Sequence, residues 1–250
     1  MPAPRESTAR NFLVTAVVAI VCSLGVSLAE VAFRSRRVAH QDLAQARGVL
    51  EAAGAYDPGV PIERTAARIE MRIVDLETGA YIPAEAYDPL ATTPLDRRDD
   101  LAGLDRRERH ARVWLVRDAG AVSAIVLPVR GTGWSEMHGL LGLDRDLVTI
   151  RGLTFVEHGE TAGMGAEVDN PKWKALWPGK RAFDPEGGVR IRVVKPGSTS
   201  PGADPATVVD GISGATITTE GVDAMLRFWL GDLGFGPYLA RLRREGVESD

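Results

Sequence analysis

The chain has 250 residues, 44% of them hydrophobic and 26% charged, with a formal net charge of −4. That length allows one large domain or two small ones, the composition is that of an ordinary globular chain, and the net charge leaves no basic field for nucleic acid. A single cysteine (Cys22) and four scattered histidines (His40, His110, His138, His158) exclude an internal disulfide and a cysteine-ligated iron–sulfur cluster, and argue against a structural metal site.

No charged residue occurs between positions 11 and 29, and residues 12–29 are apolar and just long enough to cross a hydrocarbon core. A transmembrane helix is predicted over 11–33, preceded by a short terminus, 1–10. The rival is a cleaved signal peptide, because Ser27-Leu28-Ala29 resembles a small-x-small cleavage site. The run is long for such a leader. Ala39, Leu43, Ala46, Leu50 and Ala53 also recur at helical spacing up to Gly54, a candidate C-cap, which favours one continuous helix. Residues 34–60 read as a helical connector. Arg5 and Arg10 precede the span and Arg34, Arg36 and Arg37 follow it, so the positive-inside rule by itself puts the following domain in the cytoplasm.

Residues 61–250 read as an α+β domain. Ile69, Met71 and Ile73 alternate as in a strand, closed by a turn at Thr78-Gly79. Residues 88–110 are rich in mixed charge, and a solvated loop with a short helix is expected there rather than a docking surface. Segments 112–117 and 122–127 flank Asp118-Ala119-Gly120-Ala121 as a hairpin, 147–156 and 189–194 are further strand candidates, and 196–205 is a turn-rich loop. Strands and helices do not alternate regularly, which excludes a doubly wound sheet. Neither G-x-G-x-x-G after a strand nor G-x-x-x-x-G-K-[ST] occurs. Electrons from a dinucleotide would therefore arrive through another protein.

The most informative motif is Asp210-Gly211-Ile212-Ser213-Gly214-Ala215-Thr216. Small residues end in a hydroxyl that opens an amphipathic helix, with Val222, Met225, Leu226, Trp229, Leu230 and Leu233 on one face. A hydroxyl beside the free N–H groups and positive dipole end of a helix is well placed to hold a phosphate. Thr216 also suits a plain N-cap, with Gly214 a turn residue.

This stretch resembles the flavinylation motif of FMN-binding domains. Gly131-Thr132-Gly133-Trp134-Ser135-Glu136-Met137, the run from Glu157-His158-Gly159-Glu160-Thr161 to Gly165, and the tail from Phe228 to Pro237 extend the likeness. Together they resemble the C subunit of sodium-translocating NADH:quinone oxidoreductases. The flavin blocks alone also resemble the G subunit of Rnf-type complexes, and a stand-alone membrane-anchored flavin carrier is the remaining alternative. The family usually has Gly-Leu-Trp-Ser at Gly133-Trp134-Ser135, and Pro at Ala162.

The resemblance implies FMN esterified through its phosphate to Thr216, within an FMN-binding core of about 122–235. It implies that Ser213, Gly214 and Ala215 shape the phosphate loop and that Asp210 is the motif's leading acid. Trp134, Ser135, Glu160 and Thr161 would border the isoalloxazine ring. Apart from the resemblance, Lys195 is a candidate near that ring or a solvent-facing residue after a strand, and His158 reads as structural. It also implies a flavin transferase that uses FAD, partner membrane, flavin and iron–sulfur subunits, an inner-membrane location, and a periplasmic C-terminal domain. Electron transfer belongs to the assembled complex; no residue of this chain is expected to be catalytic, and no metal is expected.

Overall fold

The computed structural model describes residues 8–198 and 204–248. The chain divides into two compact units, Met1–Ala44 and Gln45–Asp250. Positions 1–7 of the expected N-terminus, and 199–203 of the expected 196–205 loop, lie outside the described residues.

Helix α1 (Thr8–Ala52) supplies the first unit. Its stretch Asn11–Leu28 has a mean hydropathy of 2.2 and is long and apolar enough to cross a membrane. Phe12, Leu13, Val17, Ile20, Val21 and Leu24 are all exposed. The Thr15 hydroxyl donates to the Asn11 carbonyl, so the hydroxyl is satisfied within the helix.

The second unit is built on a six-stranded antiparallel sheet, ordered β2-β1-β5-β6-β7-β8. The strands are β1 (Ile69–Asp75), β2 (Tyr81–Ile82), β5 (His110–Asp118), β6 (Ala121–Thr132), β7 (Glu136–Asp144) and β8 (Ile150–His158). A short helix α2 (Ile62–Ala66) precedes the sheet, and β3 (Thr92–Pro94) pairs with β4 (Arg106–Glu108) beside it. After β8 come α3 (Pro171–Lys174), the parallel pair β9 (Arg192–Val194) and β10 (Val208–Asp210), then α4 (Thr216–Leu230) and α5 (Gly236–Glu245). The architecture is α+β.

The period-2 pattern sorts the strand side chains. Val113, Leu115, Ile125, Leu127, Val129 and Met137 face a core filled by Val222, Met225, Leu226 and Trp229 of α4. Trp114, Val116, Ala124, Val126 and Leu140 face a second cluster, completed by Val49, Leu50, Ala52 and Ala53 at the end of α1. Residues from Gln45 onward thus belong to the globular unit, and the connector expected over 34–60 does not run through to position 60.

Several expectations shift in detail. The 88–110 segment carries the β3–β4 pair rather than a helix. Arg107 in it is 4% exposed, with Nε and Nη1 unpartnered among the described residues, and burial lowers its pKa. β7 was hidden in the sequence because Gly139 and Gly142 interrupt its apolar run. Leu233 lies beyond α4 and is 39% exposed. The turn at Thr78-Gly79 is capped by Asp75, which accepts from the N–H groups of Glu77 and Thr78. Burial pushes the Asp75 carboxyl up, but these N–H groups and Arg109 outweigh it and hold it below the ordinary range.

The end of α1 lies directly on β7. A Cβ at Gly142 would sit 2.0 Å from the Ala52 carbonyl oxygen and 2.6 Å from its carbon. Backbone cannot yield as a side-chain tip can, so Gly142→Ala is expected to push the α1 end off the sheet and cost about 1–3 kcal/mol. Urea denaturation of the 45–250 unit followed by circular dichroism checks this; an unchanged midpoint would contradict it.

Candidate functional site

The Asp210–Thr216 loop runs from the end of β10 to the first residue of α4. Gly211 can only be glycine, since a Cβ there would lie 2.2 Å from Thr219 Cγ2 and 2.9 Å from the Val194 carbonyl oxygen. Gly214 has φ +78°, the left-handed region that a side chain disfavours. This conformation turns the chain so that Thr216 becomes the first residue of α4. Among the described residues no side chain caps the helix. The N–H groups of its first turn are left with the positive end of the helix dipole.

Three threonines crowd this turn, and their environments differ. Thr218 is 2% exposed and its hydroxyl donates to Glu160 Oε2. Thr219 is 4% exposed and its Oγ1 accepts the Ile212 N–H at 3.0 Å. Thr216 is exposed, and its hydroxyl has no partner among the described residues.

Thr216 stands between two clefts. The larger, about 390 Å³, is lined by Trp134, Glu160, Thr161, Met164, Ile217 and Thr218, together with Gly165, Gly214, Ala215 and Thr216 itself. Its rim is apolar and unusually exposed: Trp134 is 69%, Met164 50% and Ile217 53% exposed. Glu160, by contrast, is 7% exposed and faces inward. Its Oε1 accepts from the N–H and hydroxyl of Ser135 at 2.9 and 3.1 Å. Ser135 Oγ also accepts the Gly159 N–H at 2.9 Å. Ser135 is thus a brace behind Trp134 rather than a residue of the cleft wall. The second cleft, about 240 Å³, is lined by Lys195, Pro196, Ser213, Gly214, Thr216 and Glu220 among others.

The structure therefore brings Ser213, Gly214, Ala215, Thr216, Trp134, Glu160 and Thr161 around one hydroxyl. Lys195 lies on the other flank of Thr216, in the Ser213 cleft and not in the Trp134 cleft. Asp210 has an exposed side chain that lines neither; its carbonyl accepts the Trp173 Nε1–H at 2.9 Å. His158 is held structurally. Its Nδ1 accepts the Glu160 N–H at 3.2 Å, which assigns the ring proton to Nε2, 2.8 Å from Asp169 Oδ2. Met164 and Ile217 were missed as wall residues because nothing in their local pattern separates them from ordinary core side chains.

An FMN-binding domain is recognised over residues 133–231, from the tip of the β6–β7 hairpin to the C-cap of α4. Over nearly its whole length the chain is similar to the C subunit of the Na(+)-translocating NADH-quinone reductase of Pseudomonas aeruginosa, 42% identical over 97% of this chain and 98% of that protein. The Yersinia pestis protein of the same description is 36% identical over 99% and 98%. The chain belongs to this family. Among solved structures, Shewanella oneidensis NqrC matches with a TM-score of 0.73 and 32% identity, covering 83% of this chain and 100% of that one. The structure of the Parabacteroides distasonis C subunit matches at 0.63 and 29%, covering 82% and 96%. Membership in this C-subunit family places the chain in a complex-level oxidoreductase.

In this C-subunit fold α4 is tied to β9 by an ion pair that no local sequence pattern announces. Asp223, two turns into α4, is 8% exposed and accepts from Arg192 Nε and Nη2 at 2.8 and 3.0 Å and from the Val193 N–H at 2.9 Å. The arrangement ties α4 to β9, and the carboxylate raises the Arg192 pKa. Asp223→Ala removes three acceptor contacts at once. It is expected to cost about 1–3 kcal/mol and to speed amide hydrogen exchange at the start of α4 and in β9 relative to β5 and β6. Uniform protection across these elements in the variant would contradict this.

Proposed function

We propose that Thr216 carries FMN through a phosphoester and that the chain is a membrane-anchored electron carrier of a sodium-translocating NADH-quinone reductase. The observation that carries this reading is the contrast among three hydroxyls in one turn: those of Thr218 and Thr219 are buried and hydrogen-bonded, whereas Thr216 is exposed, lines both clefts and has a hydroxyl without a partner among the described residues. The uncapped first turn of α4, with Ser213 and Gly214 beside it, suits a phosphate. The Trp134, Met164 and Ile217 walls suit the faces of an isoalloxazine ring, with Thr161 offering a polar group at the rim. Lys195 lies on the phosphate side of Thr216 and contributes positive charge there. Bound in this place, FMN supplies one- and two-electron transfer at a potential tuned by the surrounding charges and hydrogen bonds.

Attachment needs a phosphorus–oxygen bond to Thr216 Oγ1. With FAD as donor, the pyrophosphate bond breaks, AMP leaves and the hydroxyl proton is lost. The chain has no nucleotide-activating motif, so a separate flavin transferase performs this step. The exposed first turn leaves Thr216 open to such an enzyme. Asp210 is free at the surface to be read by it.

Protein coexpressed with the transferase is expected to exceed its polypeptide mass by one FMN phosphoester, and Thr216→Ala to lose that mass. In the assembled complex the same variant should abolish quinone reduction while leaving NADH oxidation by an artificial acceptor largely intact. A flavin peptide mapped to Thr218 or Thr219, or full quinone reductase activity without the Thr216 hydroxyl, would refute the assignment.

The Asn11–Leu28 stretch is the proposed membrane span. Its side chains are exposed along the whole run, and lipid removes that apolar surface from water without any protein partner. The proposed location of the 45–250 unit is the periplasm, with other membrane, flavin and iron–sulfur subunits as partners. Protease added to spheroplasts is expected to digest that unit. Its protection until the inner membrane is broken would reverse the orientation, in the sense that Arg34, Arg36 and Arg37 favour.

A further inference from the structure

Trp134 poses a physical problem. It sits at the tip of the β6–β7 hairpin with most of its ring in solvent, so packing does not fix its position. What ties the tip to α4 is a buried carboxylate. Glu160, just past β8, binds both hydrogen-bond donors of Ser135 through Oε1 and the Thr218 hydroxyl of α4 through Oε2. Two glycines pack closely against it. A Cβ on Gly165 would fall 2.2 Å from Oε2, and one on Gly133 would fall 3.0 Å from Oε1.

We propose that Glu160 is a positioning residue: its carboxylate ties the 133–135 tip to the first turn of α4 and so sets the gap between the Trp134 ring and Thr216. The inference rests on the FMN reading for its functional meaning, but the clamp is a property of the chain alone. Both oxygens are engaged by the chain's own donors, so the clamp acts on a ring in the cleft through the position of Trp134, whether or not Glu160, which also lines the cleft, touches that ring. A carboxylate suits the place because it only accepts, and three donors converge on it. Glutamine can retain the geometry, since its oxygen replaces Oε1 and the Thr218 hydroxyl can rotate to accept from its amide. Alanine leaves the Ser135 N–H and the Thr218 hydroxyl without their acceptor.

The flavin-free protein already has a clean reporter. Of its five tryptophans, Trp114, Trp173, Trp177 and Trp229 are each at most 8% exposed, so acrylamide-accessible emission comes from Trp134. Glu160→Ala is expected to lower the anisotropy of that emission, and Glu160→Gln to leave it near the parent value. In the flavin-loaded protein, Glu160→Ala should relieve quenching of flavin emission by Trp134. In a Trp134→Leu background it should add nothing further, the signature of two residues acting as one unit. Unchanged anisotropy in Glu160→Ala, or an undiminished flavin effect without Trp134, would overturn the proposal. Should Glu160→Ala fail to fold, Thr218→Val removes the α4 side of the clamp and must loosen Trp134, while Ser135→Ala, which keeps the backbone N–H to Oε1, should loosen it less. Intact mass separates the two ideas. Absence of flavin on Thr216 counts against the attachment reading alone, while the flavin-free tryptophan measurement still decides the clamp.

Discussion

The seating of α4 on the antiparallel sheet is the constraint from which the rest of the site follows. The helix is drawn down by Val222, Met225, Leu226 and Trp229, all essentially inaccessible to solvent. Burial of each aliphatic side chain of this kind contributes about 1.5–3 kcal/mol. How close it comes is decided by absent side chains: a Cβ on Gly221 would lie 2.6 Å from the Thr132 carbonyl oxygen. Trp229 Nε1 then reaches the Arg130 carbonyl at 2.7 Å and fixes the helix along its axis. The helix start is thereby brought against the tip of the β6–β7 hairpin.

Polar groups then fix what apolar packing leaves free. Two buried carboxylates on different sides of α4 do this. Asp223 binds the helix to β9 and Glu160 binds its first turn to the hairpin tip. Each accepts three hydrogen bonds, Asp223 from β9 alone and Glu160 from the hairpin tip and α4, which is the condition under which a buried acidic group can be tolerated. The same donors occupy the hydroxyls of the first turn selectively. Thr218 serves the Glu160 carboxylate and Thr219 the Ile212 N–H, so the turn that presents Thr216 to solvent withdraws its neighbours.

Much of the fold was legible because its signals are local. The alternation at Ile69, Met71 and Ile73, the turn residues between β5 and β6, and the apolar face of α4 each depend on neighbours a few positions apart. β7 escaped because its glycines, read locally, look like breaks. In the folded chain they are contact points: Gly142 gives the end of α1 a surface without a side chain, and Gly139 packs against Thr154, Val129 and Phe155. The β3–β4 pair escaped for a related reason. Its mixed charge suggests solvent, yet Arg107 turns inward between neighbouring segments. The reach of α1 into the globular unit was equally invisible, since Val49 and Leu50 show only that one helix face is apolar, not what covers it.

The sequence by itself determined the apolar N-terminal stretch, the α+β class, and the small-residue loop that ends in Thr216 at a helix start. These follow from composition, periodicity and backbone preference within a window of a few residues. Only the tertiary structure decided which hydroxyl is free, which side of Thr216 Lys195 occupies, and that Ser135 braces Trp134 instead of lining the cleft. Those outcomes depend on residues 25 to 58 positions apart meeting through hydrogen bonds, as Ser135 and Thr218 meet Glu160. No local pattern encodes such a meeting, because it exists only once hydrophobic burial has drawn the helix, the hairpin tip and the end of β8 together.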